Sequence, residues 1–79
     1  MLTFEWDSRK AEQNLRKHGV SFEEASAVFS QIQTIVFYDP DHSQNEDRYI
    51  IIGISLQGRL LLTAFTERGD KVRIISRYH

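Results

Sequence analysis

The chain has 79 residues, 41% hydrophobic, 11% aromatic and 27% charged, which excludes intrinsic disorder, collagen-like repeats and low-complexity arrays. Cysteine is absent, which removes a disulfide scaffold, a thiolate zinc site and a cysteine nucleophile together. Ten Lys and Arg against eleven Asp and Glu leave a net charge of −1, which taken alone argues against a nucleic-acid binder.

The length allows one small domain, residues 1–79. A domain of this size buries only about 60% of its unfolded surface, so a partner or an oligomer is expected to add stability. No apolar run approaches the roughly 20 residues of a membrane span. Met1–Asp7 has no basic segment ahead of an apolar one, so no signal peptide is read there. The expectation is a soluble, cytoplasmic domain without a membrane partner. The charge is unevenly placed. Residues 1–18 carry +1, residues 19–47 carry −6 with no base, and residues 48–79 carry +4, with five arginines among six bases. Arginine suits bidentate phosphate contacts, so a near-neutral chain can still present a local anion-binding face.

In chain order, Asp7 is a helix N-cap and Gly19 a stop after Lys17-His18. Between them Ala11, Leu15 and His18 share one helical face. Ser21-Phe22-Glu23-Glu24 is a capping box, flanked by Val20 and Ala25, and opens a second short helix with Phe22, Ala25, Val28 and Phe29 on its apolar side. The two helices meet at Gly19-Val20 as a hairpin or corner. Gln33–Tyr38 is β-branched and aromatic, hence a strand. Asp39–Asp47 holds the only proline and is a surface loop. Three further strands follow, Arg48–Ser55, Arg59–Glu67 and Lys71–Tyr78, joined by turns at Gln57-Gly58 and Gly69-Asp70. The expected fold is α+β: two N-terminal helices packed on a four-stranded antiparallel sheet.

The faces of that sheet follow from alternation. Ile50, Ile52, Ile54, Val72 and Ile74 form apolar rows that the helices should cover. With equal loop lengths in both hairpins, the opposite face shows Tyr49, Ile51, Arg73 and Arg77, an open platform of cations beside an aromatic ring. A change in one loop alone would invert a strand.

Several chemistries are missing. There is no phosphate-binding glycine loop and no dinucleotide fingerprint. His18, His42 and His79 lack metal-ligand spacing, and the acidic cluster at Asp39, Asp41, Glu46 and Asp47 lacks the pattern of a calcium loop, so no metal and no cofactor is expected. A triad assembled from Asp41, His42 and Ser43 is discounted, because adjacency in a polar loop does not supply the geometry. An arginine-rich sheet face, Lys17-His18 at a helix end, and Glu46-Asp47-Arg48 leading into the sheet remain. This inventory suits metal-independent RNA cleavage through the ribose 2′-hydroxyl, which needs a base, cations for the developing phosphorane charge, and an acid for the leaving oxygen. His18 or Glu46 would serve as base, His18 as acid, and Arg48 as a transition-state cation. Lys17, Arg59, Arg73 and Arg77 would hold RNA phosphates. The competing readings are that His18 caps helix carbonyls and that Glu46 is a solvated carboxylate. Arg68 reads as a solvated turn residue, with the alternative that it reaches the site from one connection away from Lys71 and Arg73.

Phe4-Glu5-Trp6-Asp7, Lys10-Ala11, Asn14 and Lys17–Ala25 through Val28-Phe29 resemble the opening of the BrnT toxins. The resemblance continues in Asp41-His42-Ser43, Glu46-Asp47-Arg48, Gly53, Gly58-Arg59, Phe65–Gly69 and Arg73–Ser76, over nearly the whole chain. It implies a ribonuclease toxin of a type II toxin–antitoxin pair, with a RelE-like fold, that arrests translation. It also implies a BrnA-type antitoxin with a ribbon-helix-helix DNA-binding region, so that DNA is reached only indirectly. Members of the family continue from Ser-Ala-Arg into a basic C-terminal helix, whereas here Ser76 is followed by Arg77-Tyr78-His79, so that helix is expected to be missing. The alternative is a truncated, non-catalytic homologue that binds antitoxin or RNA, with Tyr49 stacking a base in the RNA-binding case. A homodimer or a toxin–antitoxin hetero-oligomer is expected in either case.

Overall fold

The computed structural model describes residues 2–78, with side chains through Ser76. The elements are β1 (Thr3–Trp6), α1 (Ser8–His18), α2 (Phe22–Val28), β2 (Ile35–Tyr38), β3 (Arg48–Ile54), β4 (Leu60–Arg68) and β5 (Lys71–Tyr78). A single 3-10 turn, Pro40–His42, lies in the loop between β2 and β3.

Local capping sets the helices. The Asp7 carboxylate accepts from the backbone N–H groups of Arg9 (2.8 Å) and Lys10 (3.3 Å), satisfying two orphan donors of α1. Gly19 closes α1 at φ 70°, a left-handed conformation that glycine adopts without steric cost. Ser21 Oγ then accepts from the Glu24 N–H at 3.0 Å and starts α2, whose Phe22, Ala25 and Val28 are buried.

The sheet has five strands in the order β1-β5-β4-β3-β2. Strands β2 to β5 form the expected antiparallel meander. The four-stranded antiparallel expectation is corrected by β1, which pairs in parallel with β5 from Thr3↔Lys71 to Trp6↔Ile74. Thr3–Trp6 does alternate, with Phe4 and Trp6 inward. Its partners lie 68 residues away in sequence, so no local turn signal announces the pairing.

A second correction concerns the faces. Five residues, 55–59, separate Ile54 from its partner Leu60, whereas two, Gly69 and Asp70, separate Arg68 from Lys71. One odd and one even loop invert β3 relative to the equal-loop expectation. The helices therefore cover Tyr49, Ile51 and Gly53 together with Val72 and Ile74, while Ile50, Ile52 and Ile54 share the open face with Arg73. A bulge between Ala64 and Phe65 in the β4–β5 ladder leaves Ile75 unpaired in the register and brings it to the open face beside Arg73.

The core lies between the helices and the sheet, built on Val20, Phe22, Val28, Leu61 and Ile74, all essentially without solvent contact. Ring contacts tie its elements together: Phe4 to Phe29 (5.2 Å), Phe29 to Phe65 (5.0 Å), Phe65 to Tyr49 (5.6 Å), and Trp6 to Phe22 (5.9 Å). Tyr49 is thus a core-side ring packed on Phe65, not a base-stacking platform on the open face.

Candidate functional site

One row crosses four strands on the open face. Arg48 on β3 lies opposite Thr66 on β4, Thr66 opposite Arg73 on β5, and Arg73 opposite Glu5 on β1. The period-2 alternation of each strand puts all four side chains on one surface. Two outer contacts hold the row in place: Arg73 donates to Glu5 Oε2 at 2.7 Å, and Arg48 donates to Ser76 Oγ at 3.4 Å. Thr66 is buried at the centre. Among the described residues, Thr66 Oγ1, Arg48 Nε and, on the helix-covered face, Thr63 Oγ1 are buried polar atoms with no protein hydrogen-bond partner, Arg48 Nε lying 4.0 Å from Asp39 Oδ2. Leaving such groups unpaired is costly, so this is a place where an outside acceptor is wanted.

The loop from Asp39 to Asp47 folds against this end of the sheet. Asp39 N–H donates to the Arg48 carbonyl (2.8 Å), and Ser43 Oγ bridges the same pair by accepting from Arg48 N–H (2.9 Å) and donating to the Asp39 carbonyl (2.6 Å). Ser43 is therefore a structural clip rather than a nucleophile. The 3-10 turn that starts at Pro40 brings His42 Nδ1 within 2.9 Å of Asp39 Oδ2. In the neutral ring a proton on Nδ1 donates to that carboxylate and leaves Nε2 as a base. Farther along, Arg68 donates through Nε and a terminal nitrogen to the two Glu46 oxygens at 3.3 and 3.1 Å. That contact holds the Glu46 carboxyl below the usual carboxylate range and raises Arg68 further.

His42, Glu46, Arg48, Thr66, Arg68 and Arg73 line a cavity of about 330 Å³. Its charged lining is Lys10, Arg48, Arg68, Arg73 and Glu46, with His42 and Thr66 between them, and each arginine also meets a carboxylate: Arg48 that of Asp39 at 4.0 Å, Arg68 that of Glu46 and Arg73 that of Glu5. Lys10 arrives there because the Asp7 cap starts α1 beside Arg73, whose charge helps to lower the Asp7 carboxyl after the two backbone hydrogen bonds. The arrangement fits a phosphodiester: cations for its oxygens, a buried hydroxyl donor, and an imidazole poised by a carboxylate. Among the described residues no group of three His, Asp or Glu side chains is placed to hold a metal ion, and no helix is long and apolar enough to cross a membrane.

Of the residues singled out from the sequence, the structure brings Glu46, Arg48 and Arg73 together here, and Arg68, read as a solvated turn residue, joins them through its pairing with Glu46. Arg59 lies at the other end of β3, where its guanidinium grips the Glu24 carboxylate and reaches the Gly19 carbonyl at 3.1 Å. Glu24 Oε2 also accepts from Ser55 Oγ at 2.6 Å, so Arg59 clamps the start of α2 to the β3–β4 turn. Lys17 and His18 belong to the same remote end, the C-terminus of α1, whereas Lys10 marks its start. Seven residues of helix separate Lys10 from Lys17, about 10 Å. The Arg77 side chain lies outside the described residues; its backbone pairs with Thr63. Sequence reasoning missed His42, Asp39, Thr66, Lys10 and Glu5. The available signals were the i,i+3 spacing of Asp39 and His42 after a proline turn, and the place of Thr66 on the same strand row as Ala64 and Arg68.

A family profile described as "Ribonuclease toxin, BrnT, of type II toxin-antitoxin system" matches residues 6–79. Among solved structures, the chain is similar to the crystal structure of the Brucella abortus ribonuclease toxin, BrnT. The TM-score is 0.71 at 25% identity, over 99% of this chain and 94% of that one. No curated protein matches the chain.

Proposed function

The chain belongs to the BrnT family of type II toxin–antitoxin toxins, and on that premise we propose that it cleaves RNA, without a metal ion, at the Arg48–Thr66–Arg73 row. The observation that carries this reading is the convergence of Arg48, Arg73 and the buried Thr66 hydroxyl, which has no protein hydrogen-bond partner, on the cavity that His42 lines with its ring held by Asp39.

A scissile phosphate seated on the row would meet Arg48 and Arg73 at its non-bridging oxygens. His42 Nε2 would take the proton of the adjacent ribose 2′-hydroxyl, with Asp39 stabilising the imidazolium that forms. The new 2′-oxygen–phosphorus bond forms as the bond to the 5′-oxygen breaks, and the departing oxygen takes a proton from solvent. The arginines act on the extra negative charge of the phosphorane, which exists only near the transition state, so their contribution raises the rate rather than merely the affinity. Glu46 is a weak candidate for the base, since its pairing with Arg68 favours the carboxylate over the protonated form. It is a positioning residue that ties the loop to β4. In the cell the consequence would be arrest of translation in the cytoplasm, relieved by a BrnA-type antitoxin that alone contacts DNA.

The test is incubation of purified protein with bulk RNA in excess EDTA. The expected products carry 2′,3′-cyclic phosphate and 5′-hydroxyl ends, the rate falls steeply with added salt, and His42→Ala loses on the order of 10²-fold or more. Activity abolished by EDTA, or unchanged in His42→Ala, contradicts the mechanism.

A further inference from the structure

Strand β2 is an edge of the sheet and is apolar or aromatic at every position. Ile35 is 64% exposed, Val36 52%, Phe37 45% and Tyr38 47%, so both faces of the strand stand in water. Exposed edges are usually protected by a lysine, a proline or a bulge within the strand. β2 has none of these. The opposite edge differs: the Phe4 and Trp6 side chains of β1 pack on the core and Glu5 is held by Arg73.

The backbone of β2 is also ready for a neighbour. Asp39 N–H bonds to the Arg48 carbonyl, so in the alternating antiparallel pattern Ile35 and Phe37 point their backbone groups at β3. Val36 and Tyr38 then point theirs outward, away from the sheet. Two copies of β2 placed antiparallel across a twofold axis at Phe37 would pair Val36 of each copy with Tyr38 of the other. All the outward donors and acceptors of the strand are used in that register. It also keeps the faces aligned, since each residue meets one of the same parity, and the open face of one sheet runs into the open face of the next. Sliding the register by two residues toward the loop would face Val36 with Pro40, which has no N–H to give.

From this self-complementarity we infer that β2 is a homodimerisation edge, whose occupant is a second copy of this chain joined into one continuous ten-stranded sheet. Phe37 meets its symmetry mate across the axis in a non-hydrogen-bonded pair, the closest kind of cross-strand contact. The pairing buries apolar surface on both faces of a strand that otherwise leaves about half of it in water. Four residues a side fall short of the roughly 1,200 Å² that stable interfaces bury, so association is concentration-dependent, with a dissociation constant of order micromolar or weaker.

The cysteine-free sequence allows a direct test. Light scattering of the full chain from about 5 to 500 µM should show the mass rising from monomer toward dimer, a range set by the expected affinity. Phe37→Lys should shift that midpoint at least tenfold upward, because it sets two ammonium groups against each other on the axis. Under mild oxidation Phe37→Cys should form a covalent dimer quickly, the expected Cα separation of about 4.5 Å being within disulfide range. Ile32→Cys, more exposed but outside the strand, should crosslink far more slowly. A chain monomeric throughout overturns the inference and leaves the edge to a strand from a different protein. A dimer indifferent to Phe37→Lys, or equal crosslinking at Ile32 and Phe37, overturns it too.

Discussion

A Cβ built on Gly53 would lie 2.6 Å from Val28 Cγ1 and 3.0 Å from Thr34 Cγ2. The bare backbone of β3 is what lets α2 sit this close to the sheet, and with it the chain of rings from Phe29 to Tyr49. Gly53→Ala should therefore destabilise the fold by about 1–3 kcal/mol, because neither a buried Val28 nor the backbone behind it can give way cheaply. Urea unfolding checks this, and an unchanged midpoint would mean that α2 docks elsewhere. The residue types legible from the sequence were those with a local job. Asp7, Gly19 and Ser21 act within a turn of themselves, and each stands where capping chemistry places it. Arg59 was illegible for the opposite reason. Its partner Glu24 is 35 residues away, and nothing in either neighbourhood distinguishes an arginine that clamps a carboxylate from one that waits for phosphate.

At the scale of elements, the strands of the meander were readable because each is a run of β-branched, aliphatic or aromatic residues bounded by a turn. Strand β1 was not, since its four alternating residues pair in parallel with the far end of the chain and no turn announces that pairing. The open face was misread through a single parity: a five-residue turn before β4 and a two-residue turn after it moved Ile50, Ile52 and Ile54 from the core to the surface. The loop 39–47 gains its shape from the Asp39, Ser43 and Arg48 contacts and from the Glu46–Arg68 pair. That pair has a testable pH signature. Its carboxyl is depressed relative to the unfolded chain, so its contribution is fully present above the ordinary glutamate value of 4.5 and is lost as pH falls through the lower folded value. Carboxyl-resolved NMR titration should place the Glu46 midpoint below 4.5, and Arg68→Gln should return it toward that value. A midpoint at or above 4.5 in the native chain would show that the loop is not tethered there.

For the molecule as a whole, a net charge of −1 conceals a division of labour. The acidic stretch 19–47 supplies a helix start, a clamp for Arg59 and a carboxylate partner for His42, while the basic stretch from Arg48 onward supplies three of the four cations of the site. The fold sorts these charges so that one end of the open face gathers Lys10, Arg48, Arg68 and Arg73 and the other end of α1 keeps Lys17. The central claim is that RNA is cleaved at the first of these ends. Comparing the cleavage rates of Arg73→Ala and Lys17→Ala on one RNA substrate, with both variants confirmed folded by thermal unfolding, tests it most directly. Loss of a charge-stabilising donor predicts a fall of about 10²–10³-fold for Arg73→Ala, with Lys17→Ala staying within about threefold of the parent. Near-parental cleavage by Arg73→Ala, or a collapse of activity in Lys17→Ala alone, would contradict it.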